Sequence, residues 1–188
     1  MLDPGALDPG WGALFEELGR ERTVFARFTE HRWFAVRKQP VVLRGELRRS
    51  PEHGLSLRYL EPEPQLMIID DAGIVLRNAA GRSRTIKADS RAPQVDALLL
   101  PVLRFDLEAL HARFEIRGAR VGGRWRLDFT PRAADLARTM GQLTVQGDAG
   151  AVRRLGFSRG QKQRVEVHLE DAREGVDFPA DEVRRFFR

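Results

Sequence analysis

Apolar and polar side chains alternate along most of this chain. Strict alternation marks half-buried strands, because successive strand side chains point to opposite faces. In GLSLRY, Leu55, Leu57 and Tyr59 share one face, with Ser56 and Arg58 on the other. RWRLDF repeats the pattern, with Trp125, Leu127 and Phe129 opposed to Arg124, Arg126 and Asp128. In QRVEVHLEDA, Val165, Val167 and Leu169 are inward candidates, and Arg164, Glu166, His168 and Glu170 are outward ones. Aromatic and β-branched content predicts further strands over 23–36, 41–49, 66–69, 74–78, 82–88, 114–118, 142–146 and 152–159. Turn signals separate them: Gln39-Pro40, Ser50 to Gly54, Glu61 to Pro64, the D-D-A-G hairpin at Asp70–Gly73, Gly122-Gly123, G-D-A-G at Gly147–Gly150 and R-G-Q-K at Arg159–Lys162.

Helical spacing is clear in three places, and Pro131 to Met140 reads as a loop or one helical turn. Leu14, Phe15 and Leu18 form a stripe from Ala13 onward, with Glu16, Glu17, Arg20 and Glu21 opposite. Between Pro93 and His111, Val95, Leu98, Leu99, Val102, Leu103, Leu107 and Leu110 recur at helical spacing, and Pro101 is expected to split the segment into two short helices. DFPADEVRRFF ends the chain with a short amphipathic turn after Pro179. The Pro/Gly-rich residues 1–12 read as a flexible segment, and 13–188 as one domain without internal repeats. Nine to eleven evenly spaced strands with few helices predict a mainly β fold, a barrel or strongly curved sheet whose concave face the helices cover.

The bulk numbers agree with one sizeable core. The chain has 188 residues, 42% of them hydrophobic and 31% charged, as in ordinary globular proteins. A net charge of +5 raises nucleic acid, phospholipid head groups and acidic proteins as partners. Arginine carries nearly all of it, since Lys38, Lys87 and Lys162 are the only lysines. The absence of cysteine removes disulfides, thiolate metal sites and cysteine catalysis. The start lacks the basic and apolar regions of a signal peptide, and no apolar run is long enough to span a bilayer.

Candidate chemistry is sparse. His31, His53, His111 and His168 lack metal-ligand spacing, and Asp70-Asp71 is better explained as a turn than as a carboxylate pair. Ser56, Ser83 and Ser158 sit in no nucleophile elbow, and GARVGG is followed by neither a helix nor Lys-Ser/Thr. The expectation is no catalytic site, no metal and no cofactor. Two basic clusters, Arg82/Arg84/Lys87/Arg91 and Arg153/Arg154/Arg159/Lys162/Arg164, suggest a single-stranded nucleic-acid surface as a rival reading. That reading needs exposed aromatics beside the charges, whereas the pattern turns them inward.

The order of motifs resembles the outer-membrane lipoprotein carrier (LolA-like) family. The features are F-x-x-F-T-E at Phe25–Glu30, Gly45-Glu46-Leu47, Pro51, alternating apolar residues to Tyr59, Glu61-Pro62, Leu66–Ile69 before Asp71 and Gly73, and the closing Asp177-Phe178-Pro179. The resemblance runs over about 12–187 and implies an unclosed antiparallel β-barrel, its helical lid at about 93–111 covering an apolar cavity. It implies a non-enzymatic periplasmic carrier that shelters acyl chains of a lipid or lipoprotein on the way to the outer membrane, without a cofactor. The physics fits, since each CH₂ removed from water is worth about 0.8 kcal/mol. The implied lining is Leu47, Leu55, Leu57, Tyr59, Ile68, Leu76, Leu98, Leu99, Val102, Leu103, Leu127, Phe129, Val145 and Val167. Family members carry an Arg before the proline of the second-strand turn, where it hydrogen-bonds the lid. Here Ser50 fills that slot, which leaves Arg49 as the candidate for lid control. Implied partners are membrane-bound donor and acceptor proteins, with transient membrane contact and no nucleic acid, and the chain is expected to be a monomer whose signal peptide has been removed. A membrane-proximal lipid-binding or sensor module on the same fold is the alternative.

Overall fold

The computed structural model describes residues 1–87, 99–160 and 162–188. Eleven strands follow one another in chain order: β1 (Val24–Phe34), β2 (Val41–Ser50), β3 (Gly54–Glu61), β4 (Gln65–Asp70), β5 (Gly73–Asn78), β6 (Ser83–Lys87), β7 (Phe114–Val121), β8 (Arg124–Pro131), β9 (Leu143–Asp148), β10 (Ala151–Arg159) and β11 (Gln163–Glu174). They form one unclosed antiparallel sheet in the order β6-β5-β4-β3-β2-β1-β11-β10-β9-β8-β7. The mainly β fold expected from the alternation, and the unclosed antiparallel sheet that the resemblance implied, are therefore present. Its hairpins are tight. Asp70 pairs with Gly73, and the Asp70 carboxylate accepts the Ala72 N–H at 2.9 Å.

Five helices accompany the sheet: α1 (Pro9–Gly19), α2 (Leu99–Arg104), α3 (Leu107–Arg113), α4 (Ala134–Thr139) and α5 (Ala180–Phe186). Two expectations need correction. The first twelve residues carry structure: Pro4–Ala6 form a 3-10 turn, the Leu2 N–H donates to the Ile116 carbonyl at 2.8 Å, and α1 begins at Pro9 behind the Asp8 cap. Proline at the first helical position loses no hydrogen bond, so a Pro/Gly-rich opening can start a helix as well as fray. The break between α2 and α3 falls at Phe105-Asp106, not at Pro101. Pro101 sits in the opening turn of α2, where the missing N–H costs nothing. Phe105 has a positive φ of 51°, and Asp106 caps α3 by accepting the Ala109 N–H at 3.0 Å. Residues 93–98 of the expected lid segment lie outside the described residues.

The single domain expected over 13–188 divides by its contacts into two compact units. One comprises Met1–Arg20, His31–Val41 and Pro101–His168; the other comprises Glu21–Glu30, Val42–Leu100 and Leu169–Arg188. The long strands β1 and β11 run through both. The first unit buries Phe114, Ile116, Leu127, Phe129, Leu143 and Val145, the second Ala26, Leu55, Ile68, Ile69 and Ile74.

Candidate functional site

In the second unit, cross-strand register decides which side chains share a face, since directly paired residues point the same way. Leu47 pairs with Leu57, Gly45 with Tyr59 and Arg49 with Leu55. Leu57 then pairs with Met67, and Met67 with Leu76. Leu47, Leu55, Leu57, Tyr59 and Leu76 therefore line one apolar face, with Leu76 only half-buried. Gly45 makes room in it. A Cβ there would lie 2.6 Å from the Phe28 ring and 2.3 Å from the Arg58 carbonyl oxygen. Phe28 meets Tyr59 edge-on at 5.2 Å, and the Tyr59 hydroxyl donates to the buried Glu30 carboxylate at 2.9 Å.

Ile68 departs from the expected lining. It pairs with Ser56 and Val75, so it points to the opposite face from Leu55 and Leu57. LMII is apolar at every position, and such a run gives no phase for alternation. Arg49 stands on the apolar face through its pairing with Leu55. Ser50 shares the opposite face with Gly54, and its hydroxyl accepts the His53 N–H at 3.3 Å.

That opposite face holds a cluster the sequence reading missed. Arg48 is 5% exposed. Its guanidinium donates to Glu46 at 3.0 Å and to Glu182 of α5 at 2.6 Å. It also lies 4.0 Å from the Phe186 ring centroid and 5.0 Å from that of Phe25. Arg58 reaches Glu46 at 3.3 Å, and Arg188 reaches Asp70 at 2.9 Å. Arg48 and Arg58 thus fasten α5 to β2 and β3 by stacking on Phe186, and Arg188, just beyond α5, reaches β4. The signal was present as alternation: Glu46, Arg48 and Ser50 fall on one side of a strand, and α5 offers Glu182 and Phe186.

In the first unit, Leu127 pairs with Val145, Val145 with Leu155, and Leu155 with Val167. Phe129 joins the same face beside Leu143, and Phe114 meets Phe129 edge-on at 6.0 Å. Leu127, Phe129 and Val145 are fully buried, and Val167 is half-buried. Helices of the same unit cover this face. Phe105 meets Trp125 edge-on at 6.3 Å, Val102 and Leu103 are buried, and a Cβ on Gly118 would lie 2.5 Å from the Trp11 ring. Leu98 lies outside the described residues, as does the side chain of Leu99.

The other face of this unit is polar. A shallow cleft of about 320 Å³ is lined by Arg126, Thr144, Gln146, Arg154, Arg164 and Glu166 among others. Its charges satisfy one another: Arg126 pairs with Asp128 at 2.9 Å, and Arg154 with Glu166 at 2.5 Å. Among the described residues no group of three or more His, Asp or Glu side chains could hold a metal. Among the described residues no helix is long and apolar enough to cross a membrane. Among the described residues every aromatic side chain is buried or half-buried.

An open antiparallel sheet with an apolar face in each unit and helices against one of them agrees with one comparison above all. The family model described as outer membrane lipoprotein carrier protein LolA-like matches residues 2–171. The chain belongs to this LolA-like family. One solved structure agrees with the assignment at the level of fold. A protein domain from Vibrio parahaemolyticus, described as outer membrane lipoprotein-sorting, is 9% identical, with a TM-score of 0.50 over 93% of this chain and 94% of that one. A LolA superfamily protein from Nitrosomonas europaea is also 9% identical, with a TM-score of 0.49 over 94% of this chain and 97% of that one. No curated protein matches the chain significantly.

Proposed function

We propose that this LolA-like chain is a periplasmic carrier that binds the acyl chains of a lipid or lipoprotein against its apolar sheet face and performs no reaction. The family match over residues 2–171 carries this reading. The apolar faces support it, because an acyl chain gains about 0.8 kcal/mol for each CH₂ taken out of water. Leu76 and Val167 are the members of these faces that remain half-buried, and so keep surface that a ligand could cover. Arg49, projecting from the same face as Leu55, is our candidate for controlling access. Delivery toward the outer membrane, with membrane-bound donor and acceptor proteins, follows from the same reading.

Uptake of a fluorescent fatty acid by the delipidated protein tests binding. Val167→Asp and Leu76→Asp place a charge on the apolar face at positions with room to spare. Each should weaken uptake at least tenfold, the equivalent of two or three CH₂ groups left in water, about 2 kcal/mol. No saturable uptake by the unmodified chain, or undiminished uptake by both variants, would overturn the proposal.

A further inference from the structure

The positive charge of this chain is concentrated at one end of its first unit. Residues 31–41 and 159–165 contain no Asp or Glu, yet hold Arg32, Arg37, Lys38, Arg159, Lys162 and Arg164. These six cations match the whole net charge of +5 with one to spare. The two segments are the end of β1 with the turn that follows it, and the turn leading into β11, and those strands are sheet neighbours. They are tied together there, with the Ala35 N–H donating to the Lys162 carbonyl at 3.1 Å.

Arg37, Lys38, Lys162 and Arg164 are all exposed. Between them the chain projects Val36, 93% exposed, at the tip of the turn. Beneath it Trp33 is half-buried, flanked by the Arg164 guanidinium at 4.3 Å and the His31 ring at 5.5 Å. Arg164 also lies 3.7 Å from Glu166, which Arg154 engages. An indole with a cation on its face, an aliphatic side chain offered to solvent and a group of exposed cations together suit the head-group zone of an anionic bilayer. Lys and Arg hold the surface potential there, while Trp and Val enter the interface.

We propose that this basic tip, Trp33–Lys38 with Lys162 and Arg164, docks the protein reversibly on an anionic phospholipid surface. The tip lies at the end of the strands and is built from residues other than the acyl-binding candidates, so the proposal stands whether or not the chain carries lipid. An acidic protein is the other partner that such charge could meet. The exposed Val36 favours a bilayer, which offers apolar depth beneath its charge.

Co-sedimentation of the full chain with vesicles tests it. Phosphatidylcholine vesicles containing about 30 mol% phosphatidylglycerol should bind the protein, and pure phosphatidylcholine should not. Binding should collapse as salt rises to about 0.5 M, where the screening length falls below the spacing of the patch. The triple variant R37E/K38E/K162E should lose at least tenfold in partitioning, and Val36→Asp several-fold. R82E/R84E, which reverses two exposed charges in and beside β6, should bind like the parent. No binding to anionic vesicles, or equal losses in the tip and β6 variants, would overturn the proposal, as would capture by an acidic polypeptide alone. Fatty-acid uptake measured on the same variants should be unchanged, which separates failure of docking from failure of carriage.

Discussion

Arg48 is the residue on which the second unit's polar face turns. Two carboxylates and two phenylalanine rings surround its guanidinium, and its side chain is 6% exposed. Removing one member of a buried charged group leaves the others uncompensated, which costs more than the pair contributes when intact. Arg48→Ala should therefore destabilise the protein by about 3 kcal/mol in urea unfolding, through a stranded Glu182 and a Glu46 left with Arg58 alone. A loss under about 1 kcal/mol would show that these carboxylates are served by solvent. Alternation alone made Arg48 look like an ordinary outward-facing arginine, because strand periodicity identifies a face but not what packs on it. Ile68 shows the complementary limit. In Leu66–Ile69 every position is apolar, so only the register with Ser56 and Val75 reveals which way Ile68 points.

Among the elements, α5 makes the clearest prediction. It buries Phe186, places Phe187 against His53 and Phe178, and supplies Glu182 to Arg48. Truncation before Pro179 removes two buried aromatic side chains worth about 2 kcal/mol each, and leaves Arg48 with Glu46. The truncated chain should melt several degrees lower, and an unchanged midpoint would mean that α5 is a passenger. All eleven strands were legible, since half-buried strands alternate at period two and their turns carry Gly, Pro and Asp. The helix boundaries were less so. Pro101 reads as a breaker until its place in the opening turn of α2 is known, and the actual break at Phe105 depends on a positive φ that a phenylalanine does not announce. The opening residues misled in the same way, because Pro9 serves equally to disrupt a helix and to begin one.

At the scale of the whole molecule, the fold expectation rested on motif order over most of the chain, and the family match over residues 2–171 agrees with it. The two-unit contact pattern had no sequence signature, because β1 and β11 run unbroken through both. The lining residues divide by the same logic: strict alternation placed Leu55, Leu57, Tyr59, Leu127 and Phe129 on apolar faces, and helical spacing between Pro93 and Leu98 concerns residues outside the described ones. What the sheet carries is the central claim, and native mass spectrometry of the protein purified without denaturation from a bacterial host addresses it most directly. The account predicts a protein ion accompanied by adducts of acyl-chain mass, released on activation and lost in Val167→Asp. A bare protein ion, from a chain that also fails to take up added fatty acid, would contradict it.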